Sequence, residues 1–116
     1  MTVQAEVVAF LNDFRDKWRV FGILFRDDRG KNANTLTELE IRPIDREKVI
    51  LGLTVEDYSE GPVEETLYRG SAIWVFGKNV KNREIYIKIT MGLIGERVIC
   101  ISFHLAEYPI KYPFKQ

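Results

Sequence analysis

Residues 83–104 read REIYIKITMGLIGERVICISFH, and this stretch decides the fold. Isoleucine occupies every second position in Ile85–Ile89, and a second alternating run follows a glycine-containing connection. A period of two is the pattern of a β strand with one buried and one exposed face. The stretch therefore predicts a β hairpin formed by strands Arg83–Met91 and Arg97–His104.

The apolar faces of the two strands predict how they pair, because opposed residues of antiparallel strands lie on the same face. The connection then becomes Leu93-Ile94-Gly95, with glycine where a three-residue loop needs a left-handed residue. The predicted pairs are Ile89 with Ile99, Ile87 with Ile101 and Ile85 with Phe103 on the apolar face, and Lys88 with Cys100, Tyr86 with Ser102 and Glu84 with His104 on the other face.

Upstream of the hairpin the apolar spacing is helical. Val3–Val20 has apolar residues three or four apart and predicts an amphipathic helix. Phe21–Phe25 is a candidate strand, and the polar run Arg26–Asn32 predicts a loop. The predicted apolar stripe of the helix consists of Val7, Val8, Leu11, Phe14 and Trp18.

Three shorter elements follow. Thr35 and Glu38 have the spacing of a capping box and predict a short helical turn at Leu36–Leu39. Pro43 suits the first turn of a helix over Ile44–Leu53, and Thr54 with Asp57 predicts a further turn at Val55–Tyr58. Gly61-Pro62 interrupts the pattern, and Ala72–Gly77 predicts a strand with Trp74 and Phe76 on one face. The fold class predicted is α+β, with N-terminal helices packed on a small antiparallel sheet.

Composition indicates one ordinary globular domain, residues 1–116, with 46% hydrophobic and 29% charged residues. No apolar run reaches the length of a membrane span, and the N-terminus lacks the layout of a signal peptide, so we expect a cytoplasmic protein that does not insert in membranes. Cys100 is the lone cysteine and predicts neither a disulfide nor a zinc site. We expect it to be a small buried side chain.

Charge is distributed unevenly although the net charge is zero. Residues 1–66 carry 9 Lys and Arg against 14 Asp and Glu, whereas residues 67–116 carry 8 against 3. The basic half either faces a polyanion or packs against the acidic half, and composition leaves both interpretations open.

The polar face of the hairpin combines a phenol, an ammonium group and an imidazole. Attack of a ribose 2′-hydroxyl on its phosphate needs a base, an acid and a fixed positive charge. An imidazole can accept or donate a proton, so His104 is a candidate acid or base. Lys88 is a candidate for charge stabilisation, and Tyr86 a candidate for positioning or deprotonating the hydroxyl. Such residues are equally typical of a solvated sheet face, so the pattern alone does not decide between the two.

These same residues carry a resemblance to a known family. Ile73-Trp74, then Glu84–Thr90 and Val98–His104, resemble the MqsR family of type II toxins, whose strands read I-W, Y-x-K-I-T and L-I-V-S-F-K. Upstream, Leu51–Tyr58 is similar to the family's G-L-S-x-x-D-F. The likeness spans roughly residues 25–104.

The resemblance implies a RelE-like ribonuclease fold, mRNA cleavage without metal or cofactor, and inhibition by an antitoxin encoded beside the toxin. Tyr86 and Lys88 match the family's tyrosine and lysine, and His104 stands where the family's last strand ends in lysine. The family's glutamine after the tryptophan is Val75 here, and its lysine beyond the Asp-aromatic turn falls near Glu60. These two substitutions change the chemical character of positions to which the family assigns catalytic roles.

Basic and aromatic residues near the hairpin are candidates for RNA contact or for ordinary solvation and packing. We expect the aromatic tail, Tyr108–Phe114, to pack against the domain rather than stack on bases. The candidate RNA-binding residues are Lys78, Lys81 and Arg83 at one end of the sheet and Arg29 and Lys31, beside Arg26, in the earlier loop.

The sequence thus predicts a ribonuclease toxin with mRNA and an antitoxin as partners and with Tyr86, Lys88 and His104 at its catalytic site. The alternative is a non-catalytic module of the same fold, or a degenerate toxin, that binds protein through its sheet edge or its acidic helical half. A small-molecule enzyme has the least support, since the sequence has no phosphate-binding glycine loop, metal cluster or nucleophile motif.

Overall fold

The structure is a computed structural model that describes residues 2–28, 30–64 and 71–116. Over these residues the chain forms three α helices, a 3₁₀ turn and a five-stranded sheet, so the predicted α+β class is confirmed. In chain order the elements are α1 (Gln4–Phe21), β1 (Ile23–Phe25), α2 (Gly30–Leu39), α3 (Pro43–Leu51), the 3₁₀ turn (Val55–Asp57), β2 (Tyr58–Val63), β3 (Ile73–Val80), β4 (Arg83–Thr90) and β5 (Val98–Leu105).

The sheet has the strand order β1-β5-β4-β3-β2. Strands β2 to β5 pair antiparallel with their neighbours, whereas β1 pairs parallel with β5. The sheet is therefore mixed rather than wholly antiparallel, because the predicted strand after α1 joins the edge beside β5. The central position of β4 between β3 and β5 places its outward-facing residues in the middle of the sheet.

The three helices cover one face of the sheet, here called the core face. Phe76, Ile87 and Phe103 lie on this face and are fully buried. The ring of Phe10 from α1 stacks on Trp74 of β3 with 4.5 Å between centroids. Within the described part of the chain, every helix is too short or too polar to cross a lipid bilayer.

Helix α1 begins and ends within a residue of its predicted bounds. The Glu6 carboxylate accepts a hydrogen bond from the Val3 N–H at its start, and Gly22, with φ of 87°, ends it. The buried stripe contains Phe10 but not Val8, which is exposed. Val8 was a wrong member of the predicted stripe, since Phe10 lies on the same face as Phe14, four residues later.

Helix α2 was not predicted at its full length, because Gly30-Lys31-Asn32 was interpreted as loop. Glycine, asparagine and threonine have low intrinsic helix propensity, so the helix depends on tertiary contacts that a local pattern does not contain. Thr35 is not a cap: its hydroxyl donates to the Lys31 carbonyl at 2.8 Å inside the helix. The predicted cap at Thr54 is confirmed, with the Thr54 N–H donating to Asp57 at 2.9 Å.

Strand β2 was missed, because Gly61-Pro62 reads as a break. Proline is tolerated in an edge strand, where one side of the backbone needs no partner. Strand β2 is one of the two edge strands of this sheet. Its register with β3 shifts on both sides of Glu60, which pairs with Val75. Strand β2 therefore brings Glu60 onto the sheet surface beside β3.

The predicted hairpin exists, but its predicted register is wrong. The observed pairs on the core face are Ile85 with Leu105, Ile87 with Phe103 and Ile89 with Cys100. The first two pairs differ from the predicted pairs by a slip of two residues, which keeps these side chains on their face, so the apolar pattern does not detect it. The connection runs from Met91 to Arg97 instead of three residues, although Gly95 has the predicted left-handed φ of 77°.

A β bulge in β5 changes the predicted apolar face. The register shifts between Lys88 and Ile89, where Ser102 and Cys100 are the partners and Ile101 is the extra residue. Ile101 consequently packs with Ile73 and Val75 on the face opposite the helices, here called the pocket face. Cys100 takes the core position instead and is fully buried, as expected for a small buried side chain.

Candidate active site

The register places the three predicted catalytic side chains together on the pocket face. Tyr86 lies opposite His104, and Lys88 opposite Ser102. The rings of Tyr86 and His104 stack with 5.3 Å between centroids and an interplanar angle of 22°, and Lys88 Nζ lies 5.9 Å from the Tyr86 ring. Glu84 was predicted to pair with His104 and does not. In the observed register Tyr86 pairs with His104, so the phenol lies closer to the imidazole than the predicted register placed it.

Tyr86, Lys88 and His104 form the floor of an open cavity of about 560 Å³, which is called the pocket below. Ser59 and Glu60 of β2 form one wall, and residues 107–111 of the C-terminal tail form the other. The pocket thus lies across the middle of the sheet, between its β2 edge and the tail. The pocket is open to solvent rather than enclosed.

His104 is held in one tautomer when neutral. Its Nδ1 lies 2.9 Å from the Leu105 carbonyl oxygen, which can only accept, so Nδ1 carries a proton. The lone pair of the neutral ring is therefore on Nε2. Nε2 can accept a proton from a substrate, and in the imidazolium form it can donate one.

The phenol of Tyr86 is kept protonated near neutral pH. Burial raises its pKa above the usual value for tyrosine, and the negative charge of Glu60 raises the pKa further. Tyr86 is thus suited to donate a hydrogen bond to an anionic oxygen and is poorly suited to deprotonate a hydroxyl. Lys88, part-exposed beside it, adds a positive charge to the same floor.

The two positions that depart from the MqsR pattern, Glu60 and Val75, are neighbours across β2 and β3. Glu60 is exposed in the wall of the pocket, whereas Val75 is buried with Ile73 and Ile101. The valine therefore contributes packing, and the glutamate contributes a negative charge to a pocket that also holds Lys88. The sequence identified Glu60 only as a departure from the MqsR pattern, because strand β2 was not predicted.

Glu107 is the acidic group on the tail side of the pocket. A hydrogen bond and ion pair with Lys31 lower the pKa of Glu107, and the positive charge of His104 lowers it further. Lys31, predicted to bind RNA, is therefore paired with a carboxylate that lies near His104. Both side chains are more than half exposed, so this ion pair contributes little to stability.

The other described candidate RNA-binding residues, Lys78, Lys81 and Arg83, do not line the pocket. Lys78 forms an ion pair with Asp57 at 3.1 Å, and Lys81 donates to the Leu39 carbonyl at the end of α2 at 3.0 Å. Arg83 is exposed beside the tail in a neighbouring depression of about 300 Å³. Arg29 lies outside the described residues.

Asn32, which the sequence placed in a loop, holds the bulged part of β5. Its side-chain amide donates to the Ile101 carbonyl at 3.0 Å and accepts from the Phe103 N–H at 3.0 Å. These are the backbone groups that a neighbouring strand would otherwise satisfy. Asn32 thereby fixes the segment that presents Ser102 and His104 to the pocket, and no local pattern signals this contact.

The C-terminal tail packs against the domain, as predicted. Glu84 accepts hydrogen bonds from the Ile110 N–H at 3.2 Å and the Tyr112 hydroxyl at 2.8 Å, and Phe114 stacks on Tyr58 with 5.3 Å between centroids. Burial and Glu84 both raise the pKa of Tyr112. A Cβ at Gly77 would lie 2.3 Å from the Tyr112 hydroxyl, so glycine is needed for this approach.

Metal ligands do not cluster in this part of the molecule: across residues 2–28, 30–64 and 71–116, no three His, Cys, Asp or Glu side chains converge. Cys100 faces the core, and burial raises the pKa of its thiol to about 12. The thiol is therefore unsuited to bind metal or attack a substrate. Comparison of the chain with protein-family models, curated proteins and solved structures finds no match.

Proposed function

We propose that this protein is the toxin of a type II toxin–antitoxin pair and that it cleaves mRNA as a metal-independent endoribonuclease. Membership of the MqsR family and a RelE-like arrangement belong to the same proposal. So do the cytoplasm as its location and an antitoxin encoded beside it as its inhibitor. The support is the motif resemblance together with the composition of the pocket.

One observation carries the proposal: Tyr86, Lys88 and His104 line a single pocket. Periodicity placed them on one face, and a solvated face would satisfy that pattern equally well. A shared pocket, a stacked Tyr86–His104 pair and a fixed imidazole tautomer go beyond what a solvated face requires. An imidazole, an ammonium group and a phenol also supply a proton-transfer group, a positive charge and a hydrogen-bond donor, which phosphodiester transfer uses.

The reaction is attack of a ribose 2′-oxygen on the adjacent phosphorus. The 2′-O–P bond forms and the P–O5′ bond breaks, which leaves a 2′,3′-cyclic phosphate and a 5′-hydroxyl. His104 transfers a proton through Nε2, Lys88 balances the charge that develops on the phosphoryl oxygens, and Tyr86 donates a hydrogen bond to one of them. The chain supplies each of these functions from its own side chains.

The test is expression and RNA cleavage with matched variants. Wild type is expected to arrest growth and to cleave RNA in excess EDTA, with cyclic phosphate at the new 3′ ends. His104→Ala, Tyr86→Phe and Lys88→Met are expected to cut more slowly, while Lys48→Met, which removes an exposed lysine of α3, is expected to match wild type.

Two outcomes distinguish an error in the proposed function from an error in the assigned site. If wild type neither arrests growth nor cuts RNA, the nuclease function is wrong. If wild type cuts and the folded pocket variants cut equally well, the nuclease function stands and the assignment of the site is wrong.

A second candidate function, a non-catalytic protein-binding module, is favoured by an apolar surface. Val20 and Phe21 are exposed one helical turn after Lys17, which donates to the carbonyl of Leu93, and Ile94, the residue after Leu93, is also exposed. Exposed apolar side chains near one another are typical of interaction surfaces. This function predicts that wild type binds the protein of the neighbouring reading frame without cutting RNA, and that Ile94→Asp weakens that binding.

A further inference from the structure

Glu60 occupies a position in the pocket that the proposed roles of Tyr86, Lys88 and His104 leave unused. It lies on β2, while His104 lies on β5, and strands β3 and β4 separate them. Tyr86, in the middle, stacks with His104 on one side and responds to the charge of Glu60 on the other. The carboxylate and the imidazole therefore flank the part of the floor formed by Tyr86 and Lys88.

Cleavage by a 2′-hydroxyl places two demands on such a pocket. The attacking and leaving oxygens lie roughly in line on opposite sides of the phosphorus, so the base and the acid must approach from opposite sides. A single imidazole at one side of the floor serves one of these oxygens directly. The other oxygen needs a second proton-transfer group on the facing side of the pocket.

We propose that Glu60 is the general base of this reaction and that His104, as imidazolium, is the general acid. The inference rests on the proposed ribonuclease function and extends it by one catalytic residue. The Glu60 carboxylate takes the proton of the 2′-hydroxyl as the 2′-O–P bond forms. The His104 Nε2 gives its proton to the 5′-oxygen as the P–O5′ bond breaks, and the two groups exchange protons with water before the next turnover.

The other polar groups of the pocket are less suited to be the base. The raised pKa of Tyr86 keeps its phenol protonated, and Lys88 serves as a cation. Glu107 is paired with Lys31 and lies near His104, on the acid side of the floor. Among the described residues, Glu60 forms neither a hydrogen bond nor an ion pair through its carboxylate, so both oxygens are available to a hydroxyl.

The experiment separates base from acid with two substrates. One is an RNA oligonucleotide that wild type cleaves, and the other carries sulfur in place of the bridging 5′-oxygen at the cleaved bond. A thiolate leaves without protonation, so loss of the acid is rescued by sulfur and loss of the base is not. The variants are Glu60→Gln, Glu60→Asp and His104→Ala, with Glu64→Gln as the matched control, because Glu64 is an exposed carboxylate that follows β2 outside the pocket.

We expect Glu60→Gln to cleave both substrates about 100-fold more slowly than wild type, as loss of a general base implies. Glu60→Asp is expected to recover part of the rate, Glu64→Gln to stay within about threefold of wild type, and His104→Ala to recover only on the sulfur substrate. The acidic limb of the pH–rate profile is expected to be absent in Glu60→Gln.

Three results would overturn this assignment. Glu60→Gln could cut the oxygen substrate at the wild-type rate, the sulfur substrate could rescue Glu60→Gln, or Glu64→Gln could show an equal loss. Each of these leaves the ribonuclease function intact, whereas failure of wild type to cut RNA removes the function and the assignment together. Because Glu60 is exposed on an edge strand, the glutamine variant is expected to fold, and its unfolding curve checks this.

Discussion

Phe103 and His104 are adjacent in β5 but lie on opposite faces of the sheet. Phe103 is fully buried in the core face, among the helices, whereas His104 is partly exposed in the pocket. The core face is specified by packing, so its residues determine whether the chain folds. The polar residues of the pocket face are instead those that the proposed reaction requires. A side chain there, such as Glu60, can be replaced without loss of the fold.

The largest change in unfolding free energy is expected from a substitution on the core face. Phe103→Ala removes a fully buried aromatic ring and leaves a cavity, which costs about 3–5 kcal/mol of unfolding free energy. Denaturant unfolding measures this loss, with His104→Ala as the neighbouring control. Equal losses in the two variants would contradict the division between the faces.

The next largest effect is expected from Asn32→Ala, at the bulge where the two faces exchange residues. The substitution leaves the Phe103 N–H and the Ile101 carbonyl without their partner and costs about 2–4 kcal/mol, because each buried polar group carries a penalty. RNA cleavage is expected to fall as well, since His104 loses its support. Asn34→Ala, an exposed amide in the same helix, is the control for both measurements.

A smaller effect is expected from the tail, whose residues 107–111 form a wall of the pocket. Tyr112→Phe removes one hydrogen bond to Glu84 and is expected to cost about 1 kcal/mol in thermal or denaturant unfolding. Tyr108→Phe, an exposed residue of the same tail, is expected to leave stability unchanged. If the two substitutions behave alike, the tail is not anchored through Glu84.

The effect that is smallest at neutral pH concerns the pH dependence of Cys100 on the core face. Because burial raises the pKa of its thiol to about 12, the folded protein binds this proton more tightly than the unfolded chain does. The contribution to stability is present below the ordinary thiol pKa and is lost as pH rises toward 12. Alkylation at pH 9 is expected to be slow in the native protein and fast in guanidinium chloride; fast native labelling would contradict the burial.

The sequence predicted which residues of β4 lie on each face of the sheet, but not how the strands pair. Alternation in β4 assigned Ile87 to one face and Tyr86 and Lys88 to the other, because period two depends only on the chain itself. The register was wrong since a slip of two residues preserves both faces, and the bulge at Ile101 depends on Asn32, a contact distant in sequence.

The parts of the site that the sequence missed arise from elements whose local signals point elsewhere. Helix α2 begins with residues of low helix propensity, and β2 contains Gly61-Pro62, which reads as a turn. Without β2, Glu60 had no position in the sheet, and its place opposite His104 could not be derived. Packing of the tail was predicted because its aromatics are hydrophobic, but its role as a pocket wall was not.

The rate of RNA cleavage by His104→Ala, compared with wild type in excess EDTA, tests the central claim most directly. Removing a proton-transfer group is expected to slow cleavage about 100-fold or more, while the unfolding free energy changes by less than about 0.5 kcal/mol because the side chain is partly exposed. A folded His104→Ala variant that cuts RNA as fast as wild type would contradict the account.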